Sequence, residues 1–398
     1  MNENISSESS QKFPMRPVAP LGVIAMNGCE EMGRRVNEYL MNWQVDSSSD
    51  QKLHSFYGSD KNGFLLEAHC PRFGTGEGKG MIADSVRGYD LFIICDVGAY
   101  QCTYKLYGRE IPMTPDEHYA DLKRIIAAVS GKAYRINVIM PMLYEGRQHR
   151  RTARESMDCA VMLQELVNMG VSNIITFDAH DPRVQNAIPL SGFESIMPTY
   201  QMLKAMCHTY DDLRIDKSHM MVISPDEGAL NRNIYYSSAM GVDMGMFYKR
   251  RDYTRVVNGR NPIVAHEYLG DSVEGKDVFV ADDIIASGDS ILDLAYNLKK
   301  RKAKRVFAGA TFAFFTSGLE AFDKAYNEGI IDHVFATNLT YTPKEVLDRP
   351  WFSQADMSKY MAFVIATLNH DQSLSYLLNP WNRIEKLLTR YRAEHPND

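Results

Sequence analysis

Short runs of β-branched and aromatic residues alternate along the chain with longer stretches whose apolar positions recur at helical spacing. That is the pattern of parallel strands joined by crossover helices. Strands are expected at 23–27, 63–69, 90–97, 136–143, 173–180, 219–226, 243–250, 277–284, 305–315 and 333–340. Amphipathic helices are expected at 114–130, 152–169, 228–240 and 290–303, the last with its cationic end at the C-terminus, where the helix dipole favours positive charge. Ten strands are too many for one small sheet, and 398 residues exceed what one core usually organises. The expected class is therefore α/β, with two domains that are each a mainly parallel sheet flanked by helices.

A run of small and turn-forming residues at 187–195, AIPLSGFES, divides the strands into two sets of similar make-up. It suggests an N-terminal domain over 18–190, a C-terminal domain over 191–345 and a helical segment with extension over 346–398. Residues 1–17 and 45–61 are polar and Ser-rich and read as mobile additions.

Composition narrows the function. Hydrophobic residues make up 45% and charged residues 24%, ordinary for a globular protein. No apolar stretch approaches the roughly 20 residues that span a bilayer. The net charge is −6, so nothing draws a polyanion to the chain as a whole; small-molecule substrates are expected, with no nucleic acid and no membrane. Six scattered cysteines lack any Cys-x-x-Cys pairing, which fits reduced thiols in a cytoplasmic protein.

The strongest local signal is DVFVADDIIASGDSILDL at 277–294: a hydrophobic strand, two adjacent carboxylates, a loop of small residues, then a helix. Ligands of parallel sheets bind beyond strand C-termini, and a small-residue loop opening a helix presents N–H groups to a phosphate. Ser287, Gly288, Asp289 and Ser290 form the expected cradle. Asp282 and Asp283 cannot comfortably both be buried and ionised, so they need a partner such as Mg²⁺ or sugar hydroxyls. A solvated Asp-Asp turn with Ser290 as a helix cap is the plainer alternative.

This loop resembles a phosphoribosyl-binding loop, Asp-Asp-x-x-Asp-Thr-x-Gly-Thr, which alone points equally to phosphoribosyltransferases. Five further stretches, in matching order, resemble the ribose-phosphate pyrophosphokinase family: RFGTGE (72–77) with SVRG (85–88), MLYEGRQHRRTAR (142–154), ITFDAHD (175–181), VISPDEGALNR (222–232) and MFYKRRDYTR (246–255). The tail HDQSLSYLL (370–378) adds to the likeness. A P-loop reading of 74–81 fails for want of the glycine and the Ser or Thr that motif requires.

The resemblance implies two tandem phosphoribosyltransferase-like domains and transfer of diphosphate from ATP to ribose 5-phosphate, giving phosphoribosyl diphosphate and AMP. By residue-wise transfer, Phe73 stacks on adenine with Thr75 and Glu77 at its polar edge, and Arg147 and Gln148 contact ATP. Lys249 and Arg251 open a mobile catalytic loop, and His180 and Asp226 lie at a magnesium ion. Asp282, Asp283, Ser287, Gly288, Asp289 and Ser290 then hold ribose 5-phosphate. The family also implies a homo-oligomer of dimers, up to a hexamer.

Two departures fall in the sugar-phosphate loop. Ala286 replaces the family's third aspartate, and Asp289 replaces a glycine, where it is expected to cap a helix starting at Ser290. The chain also carries additions at 1–17, 45–61, 100–115 and 380–398. An active diphosphotransferase, a phosphoribosyltransferase and a non-catalytic regulatory homologue are the three readings that stay open.

Overall fold

The computed structural model describes residues 16–47, 63–151, 153–251 and 263–395. The additions expected at 1–17 and 45–61 fall almost wholly outside these residues. Two compact units emerge, each described by itself: Met1–Thr176 with Arg183–Glu194 and Ser358–Leu378, and Phe177–Pro182 with Ser195–Met357 and Asn379–Asp398. The last part of the chain is therefore shared, one stretch going to each unit.

In the first unit a five-stranded sheet has the order Leu21–Ala25, Asp90–Ile94, Arg135–Ile139, Val171–Phe177, Gly192–Ile196, with the first four joined in parallel. Every residue of Asp90–Ile94 is buried, as a strand covered on both faces must be. Ile24, Leu91, Ile93 and Val138 meet Leu122, Ile125, Leu163 and Leu166 from the covering helices. The helix Pro115–Val129 begins with a capping box: Glu117 N–H donates to the Thr114 hydroxyl, and the Glu117 carboxylate accepts from Thr114 N–H.

Asp90 ties the C-terminal stretch to this sheet. Its buried carboxylate accepts from Arg135 at 2.7 and 2.8 Å, from Asn137 at 2.8 Å and from Asn369 at 3.1 Å. Asn369 ends the helix Ser358–Asn369, which is also held by stacking of Phe363 on Trp43 at 4.3 Å.

The second unit is built on seven strands in the order Ile263–Leu269, Asp243–Arg251, Met220–Ser224, Asp277–Ile285, Arg305–Ala313, His333–Thr337, Phe352–Ala355. Only the Asp243–Arg251/Ile263–Leu269 pair is antiparallel. The chain leaves Met220–Ser224 toward one edge and returns on the other side at Asp277–Ile285. A topological switch point thus lies between these two strands, where open α/β sheets place their ligands. Ile384, Leu388 and Tyr391 of the helix Trp381–Glu394 join the core beside the sheet, so the addition at 380–398 contributes an apolar helix face to this unit.

All ten expected strands have counterparts, although 63–69 narrows to Ala68–His69, preceded by a bridge from Leu65 to Val23. The hydrophobic pattern did not resolve the hairpin Thr103–Leu106/Arg109–Pro112, which turns at Tyr107 and Gly108, both with positive φ. The helix expected from 152 begins at Asp158 instead. Gln148 donates to the Ser156 carbonyl at 2.8 Å and the Ser156 hydroxyl to Asp158 at 2.6 Å, committing those groups to a loop. No helix among the described residues is long and apolar enough to cross a membrane.

His333 is buried at the start of its strand, bonded to the Ser353 hydroxyl at 2.8 Å and edge-on to Tyr210. Burial pushes its imidazole down to about 4, with only Asp332 opposing. The folded state thus keeps His333 neutral over a range where the unfolded chain takes up a proton. Its stabilising contribution is complete above the ordinary histidine value near 6.5 and is lost as pH falls toward about 4, on the order of 3 kcal/mol in all. Urea midpoints recorded across that window should fall more steeply for the wild type than for His333→Gln; parallel profiles would refute this origin.

Candidate functional site

The second unit gathers the strongest chemistry at the C-terminal ends of its central strands. Asp282 and Asp283 stand near the end of Asp277–Ile285, and Asp226 follows Met220–Ser224 across the switch point. Alternation along a strand sends adjacent residues to opposite faces, yet both carboxylates reach the same guanidinium. Arg232, buried on the helix Leu230–Met240, lies 3.6 Å from Asp282 and 3.8 Å from Asp283. Its Nε donates to both Asp178 oxygens, at 2.9 and 3.0 Å. Thr311 Oγ1 donates to Asp178 at 2.6 Å.

His180 completes the group, with Nδ1 at 2.7 Å from Asp283 Oδ2. The Asp283 backbone N–H also donates to Asp282 Oδ1 at 2.9 Å. These contacts separate the two carboxylates electrostatically. Burial opposes ionisation of Asp283, but the His180 hydrogen bond and the Arg232 charge overcome it and hold that carboxyl well below its ordinary range. Burial, then the neighbouring Asp283 charge, pushes Asp282 well above its ordinary range. The bond to Asp283 raises His180, favouring its imidazolium form. The partner that the aspartate pair was expected to need is thus supplied in part by the protein's own cations.

Gly288 turns the loop that follows. Its φ of +91° is a left-handed conformation, and a Cβ there would lie 2.2 Å from the Phe322 ring. Phe322 has no room to retreat, since it is fully buried, edge-on to Phe315 and stacked on Trp351. The helix starts at Asp289, one residue earlier than expected, with Gly288 as its N-cap. Asp289 does not cap a helix from Ser290. It sits in the first turn, where its carboxylate accepts from the Ser287 hydroxyl at 2.9 Å. Ser290 is exposed.

Asp226 uses Oδ1 to accept the N–H groups of Gly228 and Ala229, at 3.0 and 3.2 Å, shaping the approach to the Arg232 helix. Among the described residues no group of three or more His, Cys, Asp or Glu is placed to hold a metal ion. Lys249 and Arg251 occupy alternate positions of Asp243–Arg251, Lys249 opposite His266 and Arg251 opposite Ile263. The rest of the expected catalytic loop, 252–262, lies outside the described residues.

The remaining candidates belong to the first unit. Arg72 anchors their loop, making two bonds to buried Asp121 at 2.7 and 2.8 Å, and Arg124 adds a third at 2.6 Å. The tip leaves Phe73 57% exposed, with the Thr75 hydroxyl donating to Glu77 beside it. An exposed aromatic on a pinned loop is suited to stacking. Arg147 is exposed in a turn, next to Gln148. Sequence reasoning assigned no role to Asp178, Arg232 or Thr311. The available signal was their place in the quoted stretches: Asp178 just past a strand end in ITFDAHD, and Arg232 closing VISPDEGALNR.

Paired carboxylates and a glycine-turned loop at the switch point of a parallel sheet place the second unit among α/β folds that carry a ligand site at their strand ends. Residues 21–170 match the N-terminal domain of ribose phosphate pyrophosphokinase, and residues 196–332 match the phosphoribosyl transferase domain. Ribose-phosphate pyrophosphokinase of Vibrio cholerae is 31% identical over 319 residues, covering 79% of this chain and 92% of that protein. The protein of the same name from Mycoplasma genitalium is 25% identical over 293 residues, covering 73% and 84% respectively. The crystal structure of phosphoribosylpyrophosphate synthetase from Mycobacterium smegmatis superposes with a TM-score of 0.69 at 19% identity, covering 88% of this chain and 99% of that one, a likeness of fold. The chain belongs to the ribose-phosphate pyrophosphokinase family.

Gly288→Ala should destabilise the second unit by ~2–4 kcal/mol, combining left-handed strain with overpacking against Phe322. Urea unfolding measures it, and an unchanged midpoint would mean that the loop relaxes freely.

Proposed function

We propose that this protein transfers the diphosphate group of ATP to the anomeric hydroxyl of ribose 5-phosphate, releasing AMP. Support comes above all from the Asp282–Asp283 pair at the switch point, followed by the Gly288 turn, in a chain that aligns with named ribose-phosphate pyrophosphokinases over nearly their whole length. Asp282 and Asp283 receive the ribose hydroxyls. The backbone of Ser287, Gly288, Asp289 and Ser290 receives the 5-phosphate at the start of a twelve-residue helix, where N–H groups and dipole favour an anion.

On the donor side Phe73 stacks on adenine, with Thr75 and Glu77 at its edge, and Arg147 and Gln148 hold the phosphates. A planar guanidinium suits that grip. The sugar's anomeric oxygen attacks the β-phosphorus, the bond to the α-phosphate oxygen breaks, and no covalent enzyme intermediate forms. Lys249 and Arg251 stabilise charge on the phosphoryl oxygens in the transition state.

Magnesium is the expected cofactor. A hard cation that keeps several waters and takes donor phosphates needs only one or two protein carboxylates, so Asp226 would supply the direct ligand, while His180, whose imidazolium form the Asp283 bond favours, would lie beside the ion and reach its waters or the phosphate oxygens. When bound, the ion neutralises phosphate charge. A homo-oligomeric, cytoplasmic protein is part of the same reading.

Purified protein given ATP, Mg²⁺ and ribose 5-phosphate should yield AMP and phosphoribosyl diphosphate in equal amounts. Neither product forming would favour the regulatory homologue, for which Ala286 and Asp289 are the motivating departures. Lys249→Ala and Arg251→Ala should each lower kcat by roughly a hundred- to thousandfold with KM for ATP changed only a few fold, because their charge acts in the transition state. Equal losses in binding and turnover would contradict that assignment.

Asp289 gives a sharper test. A carboxylate facing a phosphate at 4 Å costs about 1 kcal/mol in water and more where solvent is excluded. Because Asp289 is engaged by the Ser287 hydroxyl, Asp289→Gly should leave KM for ribose 5-phosphate within about twofold, well under the tenfold that 1.4 kcal/mol would produce. A clear fall in KM would place the carboxylate against the phosphate.

A further inference from the structure

Arg232, Asp178 and Thr311, which lie beneath the aspartate pair, have no part in the chemistry just described, yet they are closely bonded to one another and to the pair. Arg232 is buried, and its guanidinium faces three carboxylates: Asp178 at 2.9 Å, Asp282 at 3.6 Å and Asp283 at 3.8 Å. Asp178 is itself fixed in three ways. Thr311 donates to it at 2.6 Å, its backbone N–H donates to the Ile196 carbonyl at 2.9 Å, and its φ is +46°, a left-handed conformation that aspartate tolerates better than most residues. Two residues on, His180 grips Asp283.

The neighbour of Arg232 does similar work. Asn233 donates to the Ala281 carbonyl at 2.8 Å and accepts from the Ala281 N–H at 3.0 Å, clamping the strand immediately before the pair. The helix Leu230–Met240 therefore holds three consecutive strand residues, 281 to 283, by two adjacent side chains. A simple structural ion pair needs one carboxylate. Arg232 serves three, two of which form the pair itself.

We propose that Arg232 is a positioning residue: its guanidinium, anchored by Asp178 and Thr311, fixes the orientation of the Asp282 and Asp283 carboxylates and so sets affinity for ribose 5-phosphate without touching it. This rests on the reading of the pair as the sugar-hydroxyl site. The planar fork matters because lysine carries the same charge as a single point and cannot address three carboxylates in fixed directions. Misplacing a binding group by an ångström is enough to cost up to about a hundredfold.

The test uses the full chain, with ribose 5-phosphate binding followed by calorimetry and both KM values by steady-state kinetics. Arg232→Lys should weaken ribose 5-phosphate by about tenfold or more while KM for ATP stays within about twofold. Thr311→Val, which loosens the Asp178 anchor and leaves Arg232 in place, should act in the same direction by ~2–5-fold. In an Asp283→Asn background Arg232→Lys should add little, since the two act through one group. A folded Arg232→Lys protein with wild-type sugar affinity, or one in which both KM values rise together, overturns the proposal. Should that variant not fold, Thr311→Val decides alone. Asp283→Asn separates the two failures: if it leaves ribose 5-phosphate binding unchanged, the pair is not the sugar site. If it weakens binding while Arg232→Lys and Thr311→Val do not, only the positioning role falls.

Discussion

One buried guanidinium is shared by three aspartates, and the second unit's site is arranged around that fact. Arg232 could not be buried as a cation without Asp178 bonded to it, and Asp282 and Asp283 could not stand side by side without a positive charge beneath them. Removing one member of such a group typically costs ~3–5 kcal/mol, because it strands the charges that remain. The same network divides the pair into an aspartate held ionised by His180 and Arg232 and one that burial biases toward its protonated form.

Below the following loop the constraint is apolar. Phe315, Phe322 and Trp351 interlock with edge-on and stacked contacts, and the Phe322 ring leaves no space for a side chain at residue 288. The loop's turn is therefore dictated from underneath as well as by its own backbone. Asp289 takes a place that a glycine holds in the family pattern, and the Ser287 hydroxyl engages its carboxylate locally. The path of the loop survives the substitution because the glycine that shapes it is Gly288.

The first unit solves a related problem with different residues. Asp90 is a buried hub for Arg135, Asn137 and Asn369, and Asp121 is one for Arg72 and Arg124. The second of these pins the loop that presents Phe73, so an exposed aromatic ring is displayed from a rigid base. On the reading proposed for Phe73, a fixed support would lower the ordering entropy that a ligand must overcome.

Much was legible in the chain by itself. Apolar runs bounded by turns located most strands of the two main sheets, because a strand buried on both faces must be almost wholly hydrophobic; Gly192–Ile196, Ile263–Leu269 and Phe352–Ala355 went unread. The motif at 277–294 and its companions identified the family, since strand, carboxylate pair and small-residue loop are local features. Local pattern also suggested that Asp289 would cap a helix from Ser290; which group its carboxylate meets depended on the φ of Gly288 and the hydroxyl of Ser287, and the helix began a residue earlier. Arg232, Asp178 and Thr311 come from three separate segments, and nothing in their sequence spacing brings them together. Only the packing of strand end, helix and strand in the folded chain does so. Residue type and periodicity determined the elements and the candidate chemistry, whereas the partner of each buried charge was decided by tertiary structure, because pairing energies depend on distance through space and not along the chain.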